Sequence, residues 1–142
     1  PNVGEDTADE TSELLNSALK DVKILPIPTQ VTAELHNHQT QGISWMVHMY
    51  QRGMPMILGD QMGLGKTLQS IGFFAYLKYS LHVSGPFLVV VPLSVLSNWI
   101  TEMNRFCPTL RAVRFHGPRE ERTRIKSEEL GDLQDFDVVV TT

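Results

Sequence analysis

The chain has 142 residues, of which 42% are apolar and 20% are charged, and its formal net charge is −4. This length allows about one domain, and the apolar share is enough for a core, so extensive disorder is excluded. A single cysteine excludes an internal disulfide and a multi-cysteine metal site, and no apolar run approaches the ~20 residues of a membrane-spanning helix.

Residues 1–34 are interpreted as an acidic, flexible leader. The segment 1–13 contains five carboxylates and no Lys or Arg, which excludes a secretory signal peptide. Within the leader, apolar spacing predicts a short helix over Thr11–Val22, and two prolines predict an extended segment over 24–28. The chain begins with Pro rather than Met and stops directly after a strand-like run, so we expect it to be part of a longer protein.

Two predicted helices flank a glycine-rich segment in the first half of the chain. Apolar residues at helical spacing predict one helix over Gln39–Tyr50 and another over Lys66–Tyr79. Between them, the short apolar run Met54–Leu58 predicts a buried strand. The glycine-rich segment 59–67 joins this strand to the second helix.

In the second half of the chain, predicted strands and helices alternate. They are a buried strand over Phe87–Val91, a helix over Val95–Phe106, a strand over Leu110–Phe115, a helix over Pro118–Leu130 and a strand over Phe136–Thr141. Apolar strands connected by helices are typical of a parallel sheet that is covered on both faces. We therefore predict an α/β fold with a parallel β-sheet and helices on both of its faces.

The strongest motif is the run Gly-Leu-Gly-Lys-Thr at 63–67, between a predicted strand and a predicted helix. Glycines bring backbone N–H groups close to phosphate oxygens, and the helix start directs its positive end at the same anion. Lys66 can reach the β- and γ-phosphates of a nucleotide, and the Thr67 hydroxyl can bind Mg²⁺. The motif departs from the usual phosphate loop because Asp60 stands where the pattern has its first Gly. Asp60 either caps the loop by accepting backbone N–H bonds or is a turn residue.

Four segments in order resemble motifs of the Snf2 group of helicase-like ATPases. Residues 35–46 resemble its Q motif, 60–69 its motif I, in which Asp replaces the first Gly, and 87–99 its motif Ia, while 138–142 resemble the strand near its motif Ib. The resemblance covers 35–142 and is closest to the chromatin-remodelling branches of the imitation-switch, CHD-like and lymphoid-specific helicase types.

The resemblance implies that 35–142 form the front part of the first of two RecA-like lobes. It implies a nuclear, DNA-dependent ATP hydrolase that moves along duplex DNA without separating the strands and remodels nucleosomes. Its partners are then duplex DNA, histones and accessory remodelling subunits, and its cofactors are ATP and Mg²⁺. The family's motif II and second lobe lie beyond this chain, so we expect the chain alone to be inactive.

The resemblance also implies the residues that bind nucleotide. Lys66 and Thr67 are the catalytic residues, and Thr67 is the ligand of Mg²⁺. Gln39 reads the adenine edge, or is a plain helix-start residue, and its neighbours His36 and His38 depart from the basic and aromatic residues usual in the family. The complete predicted nucleotide set is Gln39, Asp60, Gln61, Met62, Gly63, Leu64, Gly65, Lys66, Thr67 and Leu68.

Two further regions are candidates for contact with DNA. Pro92, Ser94 and Asn98 stand where motif Ia of the family touches DNA phosphates, although Ser94 or Ser97 can equally be a helix cap. The stretch 105–126 holds seven basic residues and two acids, so it is either a phosphate track or a solvated face with i,i+4 ion pairs.

Two other classes of function remain open at this point. One is another P-loop enzyme, such as a small kinase or a strand-separating helicase. The other is a non-catalytic interaction module that keeps the fold, against which the intact Lys66 and Thr67 argue.

Overall fold

A computed structural model describes residues 22–142, so most of the predicted helix Thr11–Val22 lies outside the described residues. The described part contains four helices and three strands. The helices are α1 Asn37–Gln51, α2 Lys66–Tyr79, α3 Leu93–Phe106 and α4 Arg119–Glu128, and the strands are β1 Phe87–Val90, β2 Ala112–Phe115 and β3 Val138–Thr141.

The three strands form one parallel sheet in the order β1–β3–β2. Val89 lies beside Val140 on one side of β3, and Val113 lies beside Val139 on the other. The connection from β1 to β2 runs through α3, and the connection from β2 to β3 runs through α4. The predicted α/β class and the parallel sheet with its helices are therefore confirmed.

One face of the sheet packs on the main core of the described region. Val89, Val138 and Val140 point to this face, which α2 and α3 cover. The helical residues buried against it are Ile71, Ala75, Leu96 and Met103.

The opposite face of the sheet is covered only in part. Ile125 of α4 packs on Val113 together with Phe136, so the region of β2 and β3 is closed. On β1, however, Leu88 is 66% exposed and Val90 is 65% exposed. The prediction that Phe87–Val91 is a buried strand is therefore wrong for Leu88 and Val90. On this face α4 packs over β2 and β3 and does not reach β1.

The predicted buried strand Met54–Leu58 is also wrong. The segment has no regular structure, Met54 is 43% exposed and Ile57 is 89% exposed. An apolar run becomes a strand only when a neighbouring strand accepts and donates its ladder hydrogen bonds, and no described strand lies beside this segment. Met56 and Leu58 still pack against the smaller core around Ile43 and Val47 of α1.

Residues 22–34 pack against the folded region. Val31 is 9% exposed and belongs to the main core, with Ile27 beside it. The backbone N–H of Thr32 donates to the carbonyl of Phe106 at 2.8 Å. Val31 and Thr32, which precede the predicted boundary at residue 34, therefore contact the folded region. Over 22–142, none of the helices is long and apolar enough to cross a membrane.

Candidate nucleotide-binding site

The phosphate-loop motif forms a glycine-dependent turn that leads directly into α2. Gly63 has a φ of 86° and Gly65 a φ of 77°, a left-handed region that side chains other than glycine rarely adopt. Gly65 is the N-cap of α2, and a Cβ there would lie 2.3 Å from Nε2 of Gln39. Gly65 is thus required by both its backbone conformation and the close approach of Gln39.

The first turn of α2 presents its N–H groups without a side-chain cap. The first N–H groups of a helix have no intrahelical acceptor, and Gly65 has no side chain that could accept from them. The backbone N–H groups of Lys66, Thr67 and Leu68 are therefore available to an anion, which the helix dipole also favours. The Leu68 side chain is 9% exposed, so Leu68 can contribute only its backbone.

The Lys66 ammonium lies over the start of the loop. Its Nζ donates to the carbonyl oxygen of Asp60 at 2.6 Å and to that of Gln61 at 2.9 Å. These contacts place a positive charge at the start of the loop.

Gln39 connects α1 to the end of the loop. Its side chain is buried, its Oε1 accepts from the backbone N–H of His36 at 3.0 Å, and its Nε2 donates to the carbonyl of Leu64 at 3.3 Å. His38 Nε2 lies 3.2 Å from the same carbonyl, and its ring stacks on that of His36. The structure therefore brings Gln39 to the loop. The spacing of residues by itself predicted only that Gln39 begins a helix.

Asp60 has a partner that the sequence did not indicate. The hydrogen bond to its Oδ2 comes from the side chain of Gln69, at 3.0 Å, rather than from a backbone N–H as the capping interpretation required. Gln69 is fully buried in the first turns of α2. In the sequence, Gln69 is simply a residue nine positions after Asp60, and this spacing does not predict a contact between them.

The residues present fit a magnesium nucleotide. Mg²⁺ keeps several waters and binds through few protein oxygens plus the substrate phosphates, so one hydroxyl beside an anion site is a sufficient protein contribution. Thr67 supplies such a hydroxyl on a half-buried side chain in the first turn of α2. Among residues 22–142, no group of three His, Cys, Asp or Glu side chains could hold a metal ion by itself.

The candidate DNA-contacting residues of motif Ia lie at the start of α3. Pro92 is the N-cap of α3, and Pro92, Ser94 and Asn98 are all exposed. Asn98 Nδ2 donates to Glu102 Oε1 at 2.8 Å, which orients its amide along the helix surface.

Part of the basic stretch 105–126 forms ion pairs within α4 and its end. Arg124 binds Glu121 at 2.8 Å, Glu128 at 2.7 Å and Glu129 at 3.1 Å. The hydrogen bond from Arg124 lowers the pKa of Glu121, and the same bond raises the pKa of Arg124. For Arg124 the interpretation as a solvated face with ion pairs is therefore supported. Arg114, Arg119 and Arg122 are also exposed, and for these three the phosphate-track interpretation stays open.

A sequence model of the family described as SNF2-related domain matches residues 38–142, which include the whole site. The chain belongs to the SNF2-related family. The resemblance drawn from the four sequence motifs is thus confirmed.

Two curated relatives show how the SNF2-related chain compares with longer proteins. It is 45% identical over 120 residues to "ISWI chromatin-remodeling complex ATPase CHR17" of Arabidopsis thaliana, which covers 84% of this chain and 11% of the relative. It is 38% identical over 117 residues to "ATP-dependent DNA helicase DDM1" of the same plant, covering 81% of this chain and 15% of the relative. The chain therefore spans only a small part of each of these relatives.

A solved structure of an SNF2-related protein shares the fold. The "Sulfolobus solfataricus SWI2/SNF2 ATPase core in complex with dsDNA" is 41% identical to this chain with a TM-score of 0.72. The match covers 84% of this chain and 23% of the solved one. The RecA-like assignment of the fold rests on this likeness.

Proposed function

We propose that this chain is the nucleotide-binding front part of a DNA-dependent ATP hydrolase that moves along duplex DNA and remodels nucleosomes. The observation that carries the proposal is the uncapped start of α2 behind Gly63 and Gly65, with the Lys66 ammonium above the loop. This anion site occurs in a chain of the SNF2-related family, whose curated relatives include proteins named as chromatin-remodelling ATPases.

In this proposal the loop and α2 bind the phosphates. The backbone N–H groups of Gly65, Lys66, Thr67 and Leu68 donate to phosphate oxygens, and Lys66 contributes a charge-assisted bond. Bound ATP would supply the phosphoryl group, and Mg²⁺ held at Thr67 would neutralise negative charge on the phosphates. Thr67 Oγ1 is the protein ligand of Mg²⁺.

The adenine is assigned to the Gln39 side of the loop. A carboxamide donates and accepts at once, which matches the donor and acceptor on the adenine edge. The support is proximity, since Gln39 Nε2 bonds Leu64 at the loop, and adenine would replace the present bonds of the amide to His36 and Leu64.

Duplex DNA is assigned to the start of α3. Pro92, Ser94 and Asn98 are exposed there, and small polar side chains at a helix N-terminus suit phosphate contacts that carry no sequence information. The solved neighbour is described as a complex with dsDNA, which supports a DNA partner. Histones and accessory remodelling subunits are the further partners that this function implies, and the nucleus is its location.

The test measures ATP turnover of the full-length protein that contains this chain, with and without duplex DNA. We expect duplex DNA to stimulate turnover and nucleosomes to be shifted, with no strand separation of a forked duplex. Strand separation would favour a true helicase, and turnover that ignores DNA would favour another P-loop enzyme.

The 142-residue chain alone is expected not to hydrolyse ATP. P-loop hydrolysis also requires groups that position the attacking water, and these are assigned to family motifs outside this chain. Measurable turnover by a preparation free of contaminating ATPase would contradict this expectation.

A further inference from the structure

A buried glutamine connects the start of the phosphate loop to α2. Gln69 lies in the second turn of α2 and has no exposed surface. Its Nε2 donates to Asp60 Oδ2 at 3.0 Å, although nine residues and the whole glycine-rich turn separate the two in sequence. This Asp60–Gln69 pair connects the start of the loop to the helix that follows it.

The orientation of the Gln69 amide is fixed by its two neighbours. An ionised carboxylate only accepts hydrogen bonds, so the NH₂ group of Gln69 must face Asp60. The opposite atom, Oε1, points at Gly42 of α1, where a Cβ would lie only 2.0 Å away. Within the described residues, Oε1 has no hydrogen-bond donor, so the bond to Asp60 is the interaction that orients this amide.

Asp60 also contacts the Lys66 ammonium. The carboxylate of Asp60 is bound by Gln69, while the backbone carbonyl of the same residue accepts from Lys66 Nζ at 2.6 Å. Asp60 is therefore the residue at which the bond to Gln69 and the bond to Lys66 meet. The common phosphate loop has Gly at this position, which has no side chain and cannot be held in this way.

We propose that Asp60 and Gln69 are positioning residues that hold the start of the loop and Lys66 in the geometry that binds ATP. The inference rests on the proposed function, and it assigns to the pair an effect on nucleotide affinity rather than on the chemical step. A preorganised loop spends less binding energy on ordering, so weakening the pair raises the Kd and the KM for ATP.

The experiment uses the full-length protein and measures Kd for a fluorescent ATP analogue, KM, kcat and Tm. In Gln69→Glu two carboxylates face each other, so we expect Kd and KM to rise by about tenfold or more, the effect of losing a hydrogen bond to a charged group. We expect kcat to change by less than about threefold, because Lys66 and Thr67 are intact. Asp60→Asn should bind ATP almost normally, since its amide oxygen still accepts from Gln69.

The double variant Asp60→Asn/Gln69→Glu provides the decisive comparison. Its Asn amide can donate to the new carboxylate, which restores the bond with donor and acceptor exchanged. We expect it to recover most of the affinity lost in Gln69→Glu. A role in folding alone would instead lower Tm and the active fraction of Gln69→Glu. The Kd of its folded fraction would then be unchanged, and the double variant would have no loss of affinity to recover.

Gln51→Glu is the matched control, because Gln51 is exposed at the end of α1 and should give unchanged affinity. If Gln69→Glu does not fold, Asp60→Ala removes the acceptor from a half-buried position and should still raise Kd. An unchanged Kd in Gln69→Glu or Asp60→Ala, or no recovery in the double variant, would overturn the positioning role alone. Failure of the unaltered protein to bind ATP would overturn the proposed function as well.

Discussion

Lys66 stands out at the scale of single residues because, within residues 22–142, its ammonium donates only to carbonyls of the loop. Both acceptors, on Asp60 and Gln61, are backbone atoms, so removing the side chain breaks no side-chain pair and opens no core cavity. Its contribution to stability is therefore small compared with its contribution to binding phosphate.

Lys66→Ala in the full-length protein should abolish ATP turnover while leaving Tm nearly unchanged. The substitution removes a charge-assisted bond to phosphate worth about 1.5–3 kcal/mol in binding, and more where charge develops during transfer. ATPase kinetics and thermal melting check it, with the exposed Lys126→Ala as the control. Near-normal turnover in Lys66→Ala would show that the loop is not the phosphate site.

Gln39→Ala should raise the KM for ATP and narrow the preference for ATP over GTP. Guanine presents the reverse pattern of donors and acceptors, so a site built on the Gln39 amide loses about 1–3 kcal/mol per unpaired group with the wrong base. A change of ~1.4 kcal/mol is a factor of ten, so we expect the ATP/GTP ratio to fall by about tenfold.

Parallel kinetics with ATP and GTP measure this ratio, with Gln41→Ala, an exposed residue of the same helix, as the control. An equal ATP/GTP ratio in Gln39→Ala and the unaltered protein would contradict adenine recognition by Gln39. Its role would then be structural, through its contacts with His36 and Leu64.

The residue scale also shows where sequence reasoning is limited. Lys66, Thr67 and the glycines were identified because their chemistry depends on close spacing along the chain. Asp60 was identified but its partner was not, because Gln69 reaches it across the turn of the loop, and such a contact exists only after folding.

At the scale of elements, Asp137 joins three of them at the start of β3. Its side chain is 5% exposed and lies 2.6 Å from Lys78 Nζ near the end of α2. It also accepts from the backbone N–H of Arg111, just before β2, at 2.8 Å. One carboxylate thus connects α2, β2 and β3 at the N-terminal ends of the two strands.

Asp137→Ala should lower the free energy of unfolding by about 2–3 kcal/mol, because it leaves a partly buried Lys78 and a backbone N–H without their acceptor. The value is below that of a fully buried pair because Lys78 is 24% exposed. Chemical denaturation measures it, and Asp135→Ala serves as control, since that carboxylate is 75% exposed and 4.0 Å from Arg111. Equal effects of the two substitutions would contradict the linking role of Asp137.

Elements were predicted well where their signal is local. The α2 helix has the predicted bounds, and α1, α3 and α4 differ from prediction by only a few residues at their ends. The failure at Met54–Leu58 has a different origin, since a strand depends on hydrogen-bond partners elsewhere in the chain. Apolar composition alone cannot show whether those partners are present.

At the scale of the whole molecule, β1 is an edge strand with two exposed apolar side chains. Leu88 and Val90 present an apolar edge strand beside the open end of the sheet. Such an edge is a template for pairing with another chain.

The 142-residue chain alone should therefore aggregate at micromolar concentration, and Leu88→Lys should reduce this because a charge on an edge strand opposes pairing. Light scattering at matched concentration measures the effect. Leu133→Lys is the control, since Leu133 is equally exposed, at 67%, but lies outside the sheet. An equal reduction of aggregation by both lysine substitutions would assign the effect to net charge. A chain extended to the whole lobe should stay in solution without either substitution.

The α2 helix carries one lysine at each of its two ends, and this arrangement has a mechanical consequence. Lys66 is its first residue and Lys78 its last but one, so about 18 Å of helix separates them at 1.5 Å per residue. The far end is fastened to the sheet through the Lys78–Asp137 ion pair, whereas the near end is held by the bond between Gln69 and Asp60 at the start of the glycine-rich turn. Because the helix is held at both ends, we expect a displacement of the Lys66 ammonium to be accommodated by the backbone of Gly63 and Gly65 rather than by a shift of α2 along its axis.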